Sequence, residues 1–436
     1  MTTRKLFIDI VMWQIPATAG LLVLALASGC PETPKPVSQS GASGTAAVPS
    51  ETPAAGKSEA PAAAPAPKDD AASVAALEKL GCKLTRDQGG AVTAVESGSA
   101  DLKDADLAHL KGLPSLVDLD LIKSSITDDG LAILQSLPQL KALGLQRCNL
   151  ITDAGLKHLD HVPNLERLYL LYTLIGNDGM DQVAKLKKLR VLDLRGAKVG
   201  DPGLDKLRDH PALVDLKLRA ASITDEGMPA IATLKNLRTL EAEDTYITDE
   251  GLPHLAALTG LQKLNLWRCF VSETGFEKLT GLTKLRDIRL RNTSTHATVL
   301  KSLLGAKDTL TYLDLIECPV EDADLPAIEP FQKLETLEVW QTNLGDPGLA
   351  IIAKLANLKS LDVSKCPKIT SAGIPELLKL AKLETLNVSE TGIDDAALET
   401  LAAQHGLKSL DVRLTKVTPD GIVKFQAAVP GCTVLK

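Results

Sequence analysis

A stretch of 24 residues, 116–139, constrains the fold most, because the chain repeats it with small changes almost to its end. Apolar and polar residues alternate over 118–121, which is typical of a strand with one buried face. Leucines three residues apart over 131–137 indicate a helix. Between the two, Thr127 or Asp128 can accept hydrogen bonds from the first free N–H groups of that helix. Such a unit cannot bury both apolar faces alone, so it must stack on copies of itself.

The copies can be counted from the first leucine of each LxxLxL pattern, here called the register leucine. It recurs 13 times in steps of 24 or 25 residues, and these copies are named units one to thirteen. The spacing lies within the 20–29 residues of leucine-rich repeats. The register leucines are Leu116, Leu140, Leu165, Leu189, Leu213, Leu237, Leu261, Leu285, Leu310, Leu334, Leu358, Leu383 and Leu407.

The consensus LxxLxLxxTxITDxGLxxLxxL resembles the 24-residue repeats of bacterial leucine-rich repeat proteins, the type found in plant-pathogen effectors and in Planctomycetes. It is also similar to the cysteine-containing repeats of eukaryotic F-box proteins. The resemblance covers residues 74–436. It implies an α/β leucine-rich repeat solenoid of about 13–14 repeats, curved like a horseshoe, with parallel strands on the concave face and short helices on the convex face. It also implies binding, without naming a ligand.

The first thirty residues predict export. Arg4 and Lys5 precede an apolar run that ends in Leu26-Ala27-Ser28-Gly29-Cys30. This ending resembles a bacterial lipobox, which implies that Cys30 becomes the lipidated N-terminus. An ordinary cleaved signal and an uncleaved anchor helix are the alternatives. The lipoprotein interpretation places the protein in the cell envelope, on the periplasmic or surface side of a membrane.

The remaining chain divides by composition. Residues 31–70 are rich in Pro, Ala and Ser, too poor in apolar side chains to fold, and predict a disordered tether. Residues 71–115 predict an N-terminal cap and a degenerate first repeat, residues 116–430 the repeats, and residues 431–436 a C-terminal capping strand. Within the repeats, the segment 285–309 lacks the TDxG signal, which indicates either an altered convex loop or a kink that serves a partner.

Four cysteines share one repeat position. Cys148, Cys269, Cys318 and Cys366 lie eight residues after their register leucines, where most other units carry Thr or another small residue. They never occupy adjacent units. Since neighbouring strands lie about 4.8 Å apart, cysteines two units apart are beyond the reach of a disulfide, and we predict none.

Nothing in the chain predicts catalysis or metal binding. It contains neither GxSxG nor HExxH. His158 and His161 could share one helix face, but no further ligands accompany them, so a surface pair is the better interpretation. A net charge of −7 does not indicate a surface that binds nucleic acid. We therefore expect a non-enzymatic, monomeric binding protein without a cofactor.

The candidate site follows from the strand period. Residues two, four and six positions after each register leucine should point out of the concave face. Both tryptophans beyond the signal, Trp267 and Trp340, fall six positions after, and Trp and Arg concentrate interface energy. We predict a mixed aromatic and basic patch in units three to ten, with an acidic step at Glu241, Glu243 and Asp244. Its candidate partner-binding residues are Tyr169, Tyr172, Arg195, Lys217, Arg219, Glu243, Trp267, Arg268, Arg289, Arg291 and Trp340.

Two functions fit such a patch. The favoured one is a protein-binding or scaffolding module tethered in the envelope, whose partner the sequence does not name. The alternative is a glycan or cell-wall binder, because Trp and Tyr also stack on sugars. The competing structural interpretation is that these side chains are solvated face residues that vary freely.

Overall fold

The computed structural model describes residues 68–436. The predicted signal (1–30), its Cys30 and nearly all of the predicted tether lie outside these residues. Within the described part, sixteen strands form one sheet in which every strand pairs with its neighbours in chain order. β1 and β2 are antiparallel, and each later pair is parallel, as in β3 with β4. No helix of the described chain is long and apolar enough to cross a membrane.

Most strands are three residues long, and most connecting helices are one or two turns. The strands are β1 Lys83–Arg86, β2 Val92–Glu96, β3 Asp118–Asp120, β4 Ala142–Gly144, β5 Arg167–Tyr169, β6 Val191–Asp193, β7 Asp215–Arg219, β8 Thr239–Glu243, β9 Lys263–Asn265, β10 Asp287–Arg289, β11 Tyr312–Asp314, β12 Thr336–Glu338, β13 Ser360–Asp362, β14 Thr385–Asn387, β15 Ser409–Asp411 and β16 Thr433–Leu435.

The helices are partly α and partly 3₁₀. The α-helices are α1 Ala71–Leu80, α2 Met180–Val183, α3 Asp201–Asp205, α4 Met228–Ile231, α5 Glu273–Phe276, α6 Asp346–Ile352, α7 Ile374–Leu377, α8 Asp395–Leu401 and α9 Pro419–Ala428. The 3₁₀ helices are Asp106–Gly112, Gly130–Ser136, Gly155–His161, Asp225–Gly227, Leu252–Ala257, Ala297–Lys301, Leu304–Ala306 and Asp322–Ile328.

The leucine pattern produces one continuous core. Pairing sets Leu119 beside Leu143 and Leu143 beside Leu168, so equivalent leucines of successive units stack. All 13 register leucines are almost completely buried. The predicted leucine-rich repeat solenoid is therefore confirmed. Strands lie about 4.8 Å apart whereas packed helices need 8–10 Å, so the stack bends with the strands on its concave side.

Both ends carry extra elements. Asp70 caps α1 by accepting a hydrogen bond from the Ser73 N–H at 2.9 Å. The hairpin of β1 and β2 then pairs with the first full unit through β2 and β3. At the other end, β16 pairs with β15. These elements cover the apolar faces that the first and last units would otherwise expose.

The TDxG motif joins units to each other. The expectation that Thr127 or Asp128 caps the helix of its own unit is wrong, because that 3₁₀ helix has no side-chain cap. Asp128 bonds to the next unit instead. Its carboxylate accepts from the N–H of Thr152 in the next unit at 2.7 Å and from the Thr152 hydroxyl at 2.5 Å. Six other junctions have the same pairing, here called the Asp seam: Asp104–Thr127, Asp201–Thr224, Asp225–Thr248, Asp249–Ser272, Asp346–Thr370 and Asp395–Thr418.

Unit eight departs from the seam without interrupting the sheet. Ala297 stands where other units carry the aspartate. In the next unit Asp324 stands where others carry the glycine, and its carboxylate lies 2.9 Å from Nδ1 of His296 and accepts from the Glu321 N–H at 2.9 Å. β10 still pairs in register with β9 and β11. The irregular segment is thus an altered convex loop, and the sheet continues through it.

Candidate functional site

The side chains that leave the sheet away from the core form a surface here called the strand face. Its most organised part is a row of alternating cations and aromatic rings, here called the cation–aromatic row. The Arg219 guanidinium lies 5.4 Å from the centre of the Trp267 ring. Arg291 lies 5.3 Å from the same ring and 5.0 Å from that of Trp340. Lys365 completes the row, 5.0 Å from the Trp340 ring. Each such contact stabilises the arrangement by about 0.5–2 kcal/mol.

Carboxylates neutralise the arginines of the row. Arg219 pairs with Asp244 at 2.7 Å, and Arg268 approaches the same carboxylate at 3.0 Å. Arg291 pairs with Glu317 at 2.9 Å. Each of these arginines therefore lies beside a carboxylate instead of presenting a free positive charge. Ion pairs and ring contacts together hold the long arginine side chains in place, which lowers the entropy lost on binding.

The acidic partners come from a sharp turn that ends each strand. Asp244 and Glu317 lie seven residues after their register leucines and have left-handed backbone conformations, with φ of 48° and 57°. Eleven units have a residue other than glycine in this conformation at this position, at a cost of about 1–2 kcal/mol each. In unit four the residue is Gly196, where a Cβ would lie 2.2 Å from the Tyr172 ring.

A second cluster surrounds Glu241. Its carboxylate lies 2.7 Å from Nζ of Lys263, 3.8 Å from NH1 of Arg195 and 4.0 Å from Nζ of Lys217. Burial alone would raise the pKa of the Glu241 carboxyl, but these three cations hold it below its ordinary value. The neighbouring Glu243 differs, because burial and the charge of Glu241 raise its pKa. Of the predicted acidic step, Glu241 and Asp244 are thus held in ion pairs, whereas Glu243 accepts from the side-chain amide of Asn265 at 2.8 Å.

A third cluster lies on β10–β12. The Arg289 guanidinium lies 4.5 Å from the Tyr312 ring and 3.0 Å from the Asp287 carboxylate. Asp314 stands beside Arg289 and Glu338 in the register. Burial, together with the charge of Glu338, raises the pKa of the Asp314 carboxyl to about 7. This carboxyl therefore titrates near neutral pH.

Two polar atoms in the row have no partner. The indole Nε1 of Trp267 and the Nε of Arg291 are shielded from solvent and have no hydrogen-bond acceptor among the described residues. An unsatisfied buried donor costs about 1–3 kcal/mol. Both donors belong to residues of the cation–aromatic row, and an acceptor could reach them only if the side chains that shield them moved.

The structure brings most of the predicted residues together but separates two tyrosines from the row. Arg195, Lys217 and Glu243 belong to the cluster around Glu241, and Arg289 belongs to the third cluster. Tyr172, which is 40% exposed, contacts Arg147 at 5.3 Å. Tyr169 is half-buried on β5, and burial raises its pKa. The predicted patch is therefore several local clusters.

Sequence reasoning missed several members. The members Lys263, Asp287 and Tyr312 lie two positions after their register leucines, a column that the strand period predicts to face outward. Outside the strand face, Tyr246 and Phe270 stack with ring centres 5.4 Å apart and are 52% and 61% exposed. Both lie nine residues after a register leucine, and alignment of the units shows this pair of aromatics.

The described cysteines are all free and buried. Cys148 donates to the carbonyl of Leu121 in the preceding unit, with sulfur and oxygen 3.0 Å apart. Cys269 makes the equivalent bond to Ala242 at 2.9 Å, and the Thr245 hydroxyl donates to the same carbonyl at 3.1 Å. The thiols therefore connect neighbouring units in the core.

The histidine pair lies apart from the strand face. The rings of His158 and His161 have centres 6.3 Å apart. No group of three or more potential metal ligands occurs in the described residues.

Comparisons with known proteins agree with this architecture. A family model described as "Leucine Rich repeat" matches residues 185–207, 354–377 and 379–402. No curated protein sequence matches the chain. An internalin (inlF) from Listeria monocytogenes has 20% sequence identity and a TM-score of 0.52 over 84% of this chain and 95% of that chain. A leucine-rich repeat protein from Leptospira interrogans has 17% identity and a TM-score of 0.49 over 75% and 91%. The chain is thus a leucine-rich repeat solenoid, similar in fold to a bacterial internalin.

Proposed function

We propose that this protein is a non-enzymatic scaffold that binds a protein partner on its strand face, with the cation–aromatic row as the centre of the interface. The observation that carries the proposal is Trp267, which is half-exposed between Arg219 and Arg291 and has an unpaired indole N–H. Folding does not require an aromatic ring there, because the register leucines already fill the core. Trp and Arg at the centre of a preorganised surface are typical of protein–protein hot spots.

The clusters on either side of Trp267 support a protein partner. They present ion pairs on both sides of an aromatic centre, and a polar rim around an aromatic core is the usual composition of a protein interface. We further propose that the scaffold is held in the bacterial cell envelope by a lipid on Cys30. The basic start, apolar run and lipobox-like end of residues 1–30 support this proposal.

The experiment is crosslinking on intact cells, followed by identification of the protein captured by the full chain and by variants. Trp267→Ala and Arg291→Ala should each abolish or strongly weaken capture, because hot-spot truncations cost about 2 kcal/mol or more. Phe270→Ala is the matched control, since it removes an exposed aromatic ring outside the strand face.

Unchanged capture by Trp267→Ala and Arg291→Ala would refute the site. Capture lost equally by Phe270→Ala would place the partner elsewhere. All variants are first checked for wild-type unfolding midpoints, so that loss of capture is not loss of fold.

A further inference from the structure

A second surface lies along the edge of the solenoid where each convex segment leads into the next strand. Each unit contributes four residues to this edge: the two before its register leucine, the leucine itself and the one after it. In units four to eight it contains seven cations and no carboxylate, whereas elsewhere it includes Glu166, Asp308, Glu335 and Glu384. These seven cations, here called the edge row, are Lys187, Lys188, Arg190, Lys235, Arg238, Lys284 and Arg286.

The edge row differs from the rest of the edge in having seven cations without a paired carboxylate on one run of units. None of its members lies within 4.0 Å of a carboxylate of the described chain. Lys187 and Lys235 donate only to backbone carbonyls, both at 2.7 Å, and Lys188 donates to the side chain of Asn164 at 2.6 Å.

At the same edge of other units, three cations are paired with carboxylates, whereas Lys333 and Lys382 are not. Lys141 pairs with Glu166 at 3.5 Å, Lys359 with Glu335 at 2.9 Å, and Lys408 with Glu384 at 2.8 Å. A row of unpaired cations of this kind creates a strong local positive potential although the chain carries a net charge of −7.

The charges of the edge row recur at a regular distance. They stand on units four, six and eight, and the intervening units contribute small or neutral residues such as Ala212, Val214 and Gly260. Two units correspond to about 10 Å at the strand spacing. Between units three and six the surface forms an open depression of about 610 Å³. Its lining contains four of the seven cations and one carboxylate, Glu166, which is already paired with Lys141.

We propose that the edge row binds a linear acidic polysaccharide whose anionic groups recur about every 10 Å, one for each pair of cationic units. Charge complementarity argues for a polyanion, because the edge of units four to eight contains seven cations and no carboxylate. The row offers no large apolar side chain of the kind that anchors protein interfaces. A bilayer surface would also meet units nine to twelve, where Asp308, Glu335 and Glu384 lie on the same edge. A single extended polymer can contact the edge row without contacting these acidic residues.

The test measures binding of the full chain to hyaluronan fragments, which carry one carboxylate per disaccharide, with neutral dextran as the reference probe. Binding to hyaluronan should be detectable and should weaken as salt is added. The triple variant Arg190→Gln/Arg238→Gln/Arg286→Gln should bind about tenfold more weakly, as expected for the loss of three exposed charge contacts.

A matched triple variant separates the edge row from total charge. Lys141→Gln/Lys359→Gln/Lys408→Gln removes the same charge at the same repeat position, but from cations that are already paired. It should bind hyaluronan almost as well as the wild type. Trp267→Ala should also leave hyaluronan binding unchanged, so this test is independent of the strand-face partner.

Three results would overturn the proposal. The first is equal binding to dextran, and the second is equal weakening by both triple variants. The third is binding to phosphatidylglycerol vesicles, but not to hyaluronan, that depends on the edge row, which would assign it to a membrane surface. All variants are checked for the wild-type unfolding midpoint, because Arg238 is half-buried and donates to the Gly260 carbonyl at 3.0 Å.

Discussion

A Cβ atom on Gly227 would lie 2.5 Å from Oδ1 of Asp201 in the preceding unit. That carboxylate is held in place because it accepts from the N–H of Thr224 at 2.9 Å. The glycine of TDxG is therefore required by the aspartate of the unit before it. The same approach recurs at Gly155, where a Cβ would lie 2.3 Å from the carboxylate of Asp128.

We predict that Gly227→Ala lowers the free energy of unfolding by about 1–3 kcal/mol through overpacking. Asp201→Ser in the same chain should recover part of the loss, because the shorter side chain withdraws from the added methyl group. The protein already contains this combination, with Ser371 in the aspartate position and Ala397 in the next glycine position. Denaturant unfolding of the two single variants and the double variant measures the coupling.

The control for this cycle is Gly281→Ala. A Cβ on Gly281 would have no atom within 4 Å, so this substitution should change the unfolding free energy by less than about 0.5 kcal/mol. If Gly227→Ala were equally mild, or if Asp201→Ser gave no recovery, the steric account of TDxG would be wrong.

The second prediction concerns Asp314 and pH. Burial and the charge of Glu338 raise its pKa to about 7 in the folded chain, although the charges of Arg289 and Arg291 act to lower it. The folded state therefore holds a proton that the unfolded state releases near pH 4. Stability should fall as pH rises from about 4 to 7 and become independent of this group above its folded pKa.

Asp314→Asn should flatten that slope and make the protein more stable than the wild type at pH 8. The amide oxygen can still accept from the Ile316 N–H, which now lies 2.9 Å from Oδ1. Unfolding free energies measured from pH 4 to pH 8 test this. A wild-type slope that persists in Asp314→Asn would assign the pH dependence to another group.

The third prediction concerns the buried thiols. Burial raises the pKa of Cys269 to about 11 and that of Cys148 to about 12, so little of either is present as the reactive thiolate at pH 8. Iodoacetamide should label both at less than about a tenth of the rate seen in denaturant, as measured by peptide mass spectrometry. Rapid labelling of the native protein would mean that the core opens at these units.

The sequence predicted the solenoid, its strands and its buried columns because these depend on a period that each unit displays by itself. It did not predict which strand-face side chains touch. Lys263 meets Glu241 across 22 positions of the chain, and such contacts depend on side-chain length and on the residues of both neighbouring units.

The Asp seam escaped prediction for the same physical reason. A lone TDxG is consistent with an aspartate that caps its own helix, and only the stacked neighbour shows where the carboxylate goes. Two pairs of replacements in the aligned units indicate this contact. Where Ser371 or Ala297 replaces the aspartate, Ala397 or Asp324 replaces the glycine of the next unit.

The seam also limits how such a gene can gain or lose a repeat by recombination. Excising residues 237–260 would bring Asp225 against Ser272 and Gly275, an ordinary pairing for this chain. Excising residues 285–309 would instead bring Glu273 against Asp324, two acids with nothing between them. Units whose neighbours keep both the aspartate and the glycine are therefore interchangeable, whereas loss of this unit requires a second change in its neighbour.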